Sequence, residues 1–351
     1  MRVGLDIGYS SVKVAFGNTM IPEHLTFPIG AAPISQCGTT ADGEVALGGG
    51  HRVMVDGEEW VAGISPARLE SFVPSMDESY TDSRQYKALF YAALAAVGAP
   101  RIDALVTGLP VSHFRDETHK QRVIDMMVGR HEIQPGVFVE VAAVRPLPQP
   151  AGAFAAHGAD VALKRSDVEI HSTSSVLVVD PGHYSYDWVM FYQSFLLNSS
   201  GSTPEAGEAV IQAAAAALTK EHGVTIYPTK LSDAVIGGLP LLRVGQRQIE
   251  YWPAMKQAAT DVVRNNLTAM GAAIRKVKGL RGVDVVLVTG GGAALFKDAL
   301  KSSFPDAEVV MVRDSVSANA RGFFQFAWKT GEVTAQGARP AAPKQAAEQV
   351  A

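Results

Sequence analysis

Two short segments, 174 residues apart, repeat one pattern: an apolar strand, an Asp-x-Gly turn and a second strand. In the first, residues 3–7 run into Asp6-Ile7-Gly8-Tyr9-Ser10-Ser11, and Val12, Val14 and Phe16 then alternate with Lys13 and Ala15. In the second, residues 175–179 run into Asp180-Pro181-Gly182-His183-Tyr184-Ser185, and Trp188, Met190 and Tyr192 follow in alternation with Val189 and Phe191. Alternation of period 2 places one face of a strand on a core. The offset is too long for a solenoid period and suits a duplicated domain.

The rest of the chain fits that plan. Its 351 residues allow roughly two domains, and a chain of this size buries enough surface to fold without a staple. Cys37 is the single cysteine, which excludes a disulfide framework, a zinc finger and an iron–sulfur cluster. With 31 basic against 35 acidic residues the net charge is −4, so strong direct nucleic-acid binding is not expected. No run approaches about 18 apolar residues free of charges and breakers, and no targeting segment is visible; a cytoplasmic protein that does not engage a membrane is expected.

Between the two repeats, residues 44–62 read as a hairpin around Asp56-Gly57. Helices are expected over 83–97 and 116–128, and strands over 102–108 and 137–144. Pro146, Pro148 and Pro150 enclose Gln149 in what reads as a rigid connector to a short helix over 151–157, the best boundary between domains. After the second repeat come helices over 204–222 and 251–277, and an apolar strand over 283–288 that runs into Thr289-Gly290-Gly291-Gly292. A helix over 293–304, a strand over 309–312 and a last helix over 316–328 complete the pattern. Beyond that the chain is rich in Ala, Gln, Gly and Pro, and residues 331–351 are expected to be a disordered tail. The expected domains are therefore 1–150 with 314–330, and 151–313.

Three Gly-rich turns each follow an apolar strand. A single one is ordinary backbone relief; three together offer backbone N–H groups and close approach to a polyphosphate. Asp6 and Asp180 each either cap their own turn or need a cation, for which hydrated Mg2+ is the economical partner beside phosphates. Lys13 either sits on a solvent face or reaches a terminal phosphate as a point charge. Ser10 and Ser11 have hydroxyls to offer the same oxygens. No Walker sequence, no G-x-G-x-x-G opening a helix, no H-E-x-x-H and no G-x-S-x-G occurs, which removes P-loop NTPases, Rossmann dehydrogenases, metalloproteases and α/β-hydrolases.

Asp6–Val14 resembles the first phosphate loop of the actin/Hsp70/sugar-kinase superfamily, Asp180–Asp187 its second, and Thr289–Gly292 its adenosine loop. Thr107-Gly108-Leu109-Pro110-Val111, Pro148-Gln149-Pro150-Ala151-Gly152-Ala153 and the Asp314–Gly322 segment resemble the bacterial plasmid-partition actins of the ParM/StbA type. The opening is also similar to that of the actin-like protein of the plasmid-associated PRTRC system. This resemblance implies an α/β actin-like ATPase fold, with two related ribonuclease H-like domains around a nucleotide cleft. It implies ATP or ADP with Mg2+, self-association into filaments, a DNA-bound adaptor and a role in plasmid segregation.

Carried over by position, the resemblance has Asp6 and Asp180 hold Mg2+ through water and Lys13 contact the terminal phosphates. Gly8, Tyr9, Ser10, Ser11, Gly182, His183 and Tyr184 line the phosphates, with packing within its loop as the alternative for His183; Gly290, Gly291 and Gly292 pack on adenosine; Gln149 orients water. Pro181, His183, Tyr184 and Tyr186 depart from the small residues usual in the second loop, and Pro181 lacks an N–H. Two rivals stand beside the ATPase. A scaffold that binds nucleotide without turnover is favoured by that bulk, whereas a small-molecule kinase needs an acceptor-activating carboxylate, for which Asp187 and Asp116 are the candidates. Phe72, Val73, Trp252 and Phe324 are candidate contact residues, with core packing as the alternative.

Overall fold

The computed structural model describes residues 1–39, 42–43, 45, 47–69, 79–164, 174–193, 195–197, 200–275 and 282–337. Both repeats are hairpins at the centre of mixed sheets. Strand Arg2–Ile7 pairs antiparallel with Ser11–Gly17, which pairs antiparallel with Glu23–Pro28. On its other side Arg2–Ile7 runs parallel to Ala104–Leu109, and Ala104–Leu109 runs parallel to Val144–Pro148. In the second sheet Ser175–Pro181 pairs antiparallel with Tyr186–Tyr192, and Tyr186–Tyr192 with Phe195–Leu196. Ser175–Pro181 then runs parallel to Val285–Val288, and that strand to Glu308–Met311. The two sheets therefore share one strand order, with the short Gly201–Thr203 strand added in the second.

Each sheet has its own core. Leu5, Val12 and Val14 of the first sheet bury against Leu89, Phe90 and Leu94 of helix Arg84–Val97. That helix starts on the Ser83 hydroxyl, which accepts from the Tyr86 N–H, and stops at left-handed Gly98. Leu177, Trp188 and Val286 of the second sheet bury against helices Gly207–His222, Trp252–Arg275 and Ala293–Ser303. The expected hairpin forms as strands His51–Val55 and Glu58–Ile64, with positive φ at Asp56 and Gly57 as its two-residue turn requires.

Helices Gln149–Lys164 and Ala318–Gly337 cross where the two halves meet. A Cβ on Gly322 would lie 1.7 Å from the Gly152 carbonyl oxygen, so only glycine allows the backbones to come this close. Arg321 holds Asp160 across the crossing with two N–H donors at 2.7 and 2.8 Å. The Ala318–Gly337 helix also lies against the first strand, where a Cβ on Gly4 would be 2.1 Å from the Ala320 carbonyl oxygen.

Several expectations change. The proline-rich connector is a strand: Val144–Pro148 is an edge strand of the first sheet, where prolines cost few ladder bonds. The helix after it begins at Gln149, with Pro150 in its first turn, and runs to Lys164. The helix expected over 116–128 forms as Glu117–Met127 with Asp116 as its cap, and a further short helix, Val111–Arg115, precedes it. The last helix continues to Gly337, into the stretch expected to be tail, and residues 338–351 lie outside the described residues. Phe72 and Val73 also lie outside them. Phe324 is fully buried against the first sheet, which removes it as a contact residue. Among the described residues, no helix is long and apolar enough to cross a membrane.

Candidate functional site

The ends of the two central strands face one cleft of about 320 Å³. Asp6, Gly8, Tyr9, Ser10 and Lys13 come from the first hairpin, Asp180, Gly182, His183 and Ser185 from the second. Gln149 enters from the start of its helix, Gly290, Gly291 and Gly292 from the third turn, and Asn319 from the last helix. Ser11 and Tyr184, both expected at the site, are not among the residues that line it.

The hairpin glycines shape the loops. The Gly8 N–H donates to the Ser11 carbonyl, and the Gly182 N–H to the Ser185 carbonyl at 2.9 Å. Both N–H groups therefore close their own turns and are not spare donors; what glycine contributes here is room. The second loop is further tied to the start of helix Gly207–His222, whose Gly207 and Glu208 N–H groups donate to the Gly182 and His183 carbonyls. Burial lowers the His183 pKa, so its imidazole is a neutral hydrogen-bonding group at pH 7. In the third turn, left-handed Gly290 passes so close to Asp180 that a Cβ there would lie 2.1 Å from Oδ1.

The charged groups form two clusters. Around Asp6, the Lys13 ammonium stands 3.5 Å from Oδ2 and the Gln149 Nε2 donates to Oδ1 at 2.9 Å. Around Asp180, the Asn319 Nδ2 donates to Oδ2 at 2.6 Å. Burial pushes the Asp180 carboxyl up to about 7; the Asn319 donor opposes the rise, and the neighbouring carboxylates of Asp6 and Asp187 add to it. Asp187, the partner of Asp180 across the hairpin, is also buried with its pKa raised by desolvation. It accepts from the Ser185 hydroxyl at 2.6 Å and from the Val111 N–H at 3.0 Å.

Neither kinase candidate is placed for that chemistry. Asp187 is not part of the cleft wall, and its oxygens are taken by a structural network linking the two halves. Asp116 caps helix Glu117–Met127, accepting from the Thr118 and His119 N–H groups.

Sequence reasoning missed the other end of the cleft. Ile211, Val235, Ile236, Met255, Leu295 and Phe296 line it, beside Trp252 at 38% exposure. These residues come from four helices of the second half, and helical periodicity alone does not distinguish a cleft wall from a core. Asn319 was missed as well; an asparagine in an alanine-rich helix start was the available signal. The donor set suits a hydrated divalent cation: two buried carboxylates and an Asn319 Oδ1 that is buried with no hydrogen-bond partner among the described residues converge on the cleft.

A family model described as the actin-like proteins N-terminal domain matches residues 4–152. No curated protein matches the chain. Among solved structures, the archaeal actin homologue Ta0583 aligns at 18% identity and a TM-score of 0.71, over 93% of this chain and 99% of that one. Its complex with ADP aligns at 18% identity and a TM-score of 0.67, over 94% and 100%. A 15-stranded ParM filament from Clostridium botulinum aligns at 17% identity and a TM-score of 0.66, over 94% and 100%. The fold is actin-like.

Proposed function

We propose that the chain is an actin-like ATPase that binds Mg-ATP in the cleft, hydrolyses it slowly and assembles into filaments, with plasmid or DNA segregation as its role. The observation that carries this reading is the convergence of both Asp–Gly hairpins, Gln149 and the third glycine turn on one cleft. The ADP complex of Ta0583 and the ParM filament support nucleotide and assembly as its two halves. A head-to-tail contact between copies whose rotation does not close into a ring extends without limit. A DNA-bound adaptor, as partition actins use, fits the net charge of −4.

The division of labour follows from the side chains. Lys13 supplies the positive charge for the terminal phosphates, and the third glycine turn leaves Gly291 with open space for a nucleoside. Gln149 donates its Nε2 to Asp6, which leaves its amide oxygen to accept a hydrogen bond from the attacking water. A glutamine orients water without deprotonating it, so slow turnover is expected. Mg2+, held by Asp6 and Asp180 through water, supplies charge neutralisation when bound. The domain division at 1–150 with 314–330 and 151–313, and descent of the halves from one duplicated ribonuclease H-like unit, belong to the same reading. The shared strand order supports the duplication.

The test is phosphate release and light scattering with Mg-ATP, with electron microscopy of the products. Wild type is expected to turn over and scatter, and Asp180→Ala to do neither. Tight binding without turnover in assembled samples would favour the scaffold reading, to which the Tyr9–Tyr184 ring contact between the two loops lends a specific observation. No nucleotide binding at all would end both.

A further inference from the structure

The cleft around Asp6 and Asp180 is unusual in how its amides point. Gln149 turns its nitrogen to Asp6, and Asn319 turns its nitrogen to Asp180. An ionised carboxylate accepts only, so each amide's orientation is fixed when its partner is ionised, as it is with a cation bound. Both amides therefore have their oxygens left over. For Asn319 the consequence is sharp: the residue is 4% exposed, lines the cleft, and its Oδ1 has no hydrogen-bond partner among the described residues. An amide oxygen buried in this way costs about 1–3 kcal/mol until a donor reaches it.

The donor must come from what the cleft binds. The acceptors here are Asp6, Asp180 and the two amide oxygens, and the Lys13 ammonium beside them already stands against Asp6. A phosphate oxygen brings no hydrogen to such a place. A hydrated divalent cation brings only hydrogens, because every water in its shell turns its oxygen to the metal and its protons outward.

We propose that Asn319 is a positioning residue for the hydrated divalent cation: its Oδ1 accepts from a metal-bound water while its Nδ2 holds Asp180 in register. The inference rests on the nucleotide reading and deepens it. It also places the metal's outer shell on the helix that carries Arg321 and Gly322, so the same helix touches the cation site and the crossing between halves. Outer-shell partners of metal ligands are worth roughly 10–100-fold in metal affinity.

The experiment compares ADP affinity with Mg2+ and with EDTA for wild type and Asn319→Ala. The variant is expected to lower the ratio of the two affinities about tenfold while leaving the EDTA value within about twofold. An unchanged ratio overturns the proposal, as does an equal loss with and without metal, which would mean that Oδ1 pairs with the nucleotide or only supports the fold. Wild type that binds no ADP in either condition overturns the nucleotide reading itself, a result distinct from the others. Should Asn319→Ala not fold, wild type labelled with 15N-asparagine carries the test. Mn2+ with ADP is expected to broaden the Asn319 side-chain signal beyond detection, and a sharp signal with Mn-ADP bound overturns the proposal.

Discussion

Across the first hairpin Asp6 faces Lys13; across the second, at the corresponding register, Asp180 faces Asp187. One substitution separates a hairpin that carries its own counter-charge from one that carries two buried acids. The first half is electrostatically complete as it stands, with Lys13 and Gln149 both on Asp6. The second relies on Asn319, on the Asp187 network and on protonation, which is why burial lifts Asp180 to about 7. Two hairpins of one topology thus divide the work: one offers a fixed cation to the phosphates, the other an unfilled demand for one.

The largest test of that contrast is Lys13→Met. The Lys13 and Asp6 side chains are only 11% and 4% exposed, and removing one partner of a buried pair costs about 3–5 kcal/mol. Urea denaturation measures it, and the Lys13→Met/Asp6→Asn double variant is expected to recover most of the loss. A single variant within about 1 kcal/mol of wild type would show that the first hairpin does not depend on its own cation.

At the second hairpin the sign of the pH dependence is opposite to that of an ordinary paired aspartate. The folded Asp180 carboxyl, near 7, lies above its usual 3.8, so the folded state holds the proton more tightly. The stability this contributes is complete below about 3.8 and is lost as pH rises through about 7. Measured against Asp180→Asn, wild type should lose up to roughly 1.4 kcal/mol per pH unit across that window and level off above it. Mg-ADP, by supplying the missing cation, should flatten the difference. A wild-type curve parallel to that of Asp180→Asn at every pH would break the comparison.

The third turn sharpens it by contrasting neighbours. Gly290 has φ +78, and a Cβ would meet Asp180 Oδ1 at 2.1 Å; Gly291 opens on empty space. Gly290→Ala is expected to cost about 2–3 kcal/mol by strain and by displacing Asp180. Gly291→Ala should leave thermal unfolding within about 0.5 kcal/mol of wild type and act only on nucleotide affinity. Equal thermal shifts for the two would remove Asp180 from the explanation.

Much of this was legible in the chain. The period-2 runs flanking Asp6 and Asp180 fix both hairpins, because a strand shifted by one residue would turn its apolar face outward. The glycines marked the turns and the apolar run at 283–288 marked a buried centre. What was not legible depends on partners far along the chain. Prolines at 146 and 148 read as a connector because nothing local reveals an edge position, where a missing N–H is tolerated. Asp116 and Asp187 looked alike as spare carboxylates; only the fold shows one capping a helix and the other bound to Val111, 76 residues away. The Gly152–Gly322 crossing likewise joins segments that carry no mutual signal in one sequence.

The smallest effect concerns what joins the two loops directly. Tyr9 stacks on Tyr80 at 4.9 Å and meets Tyr184 of the second hairpin at 5.4 Å and 52°. Tyr80 in turn meets fully buried Tyr86 edge-on at 5.3 Å, so the rings form a column from the core of the first half to the loop of the second. An aromatic pair contributes about 0.5–1.5 kcal/mol beyond its area. Because Tyr184 lies at the end of the column, Tyr184→Ala should leave global stability nearly unchanged. It should instead ease separation of the hairpins, raising the release rate of a fluorescent ADP analogue roughly 2–10-fold. Tyr184→Phe keeps the ring and should release at the wild-type rate. If Tyr184→Phe releases as fast as Tyr184→Ala, the hydroxyl rather than the ring contact joins the loops.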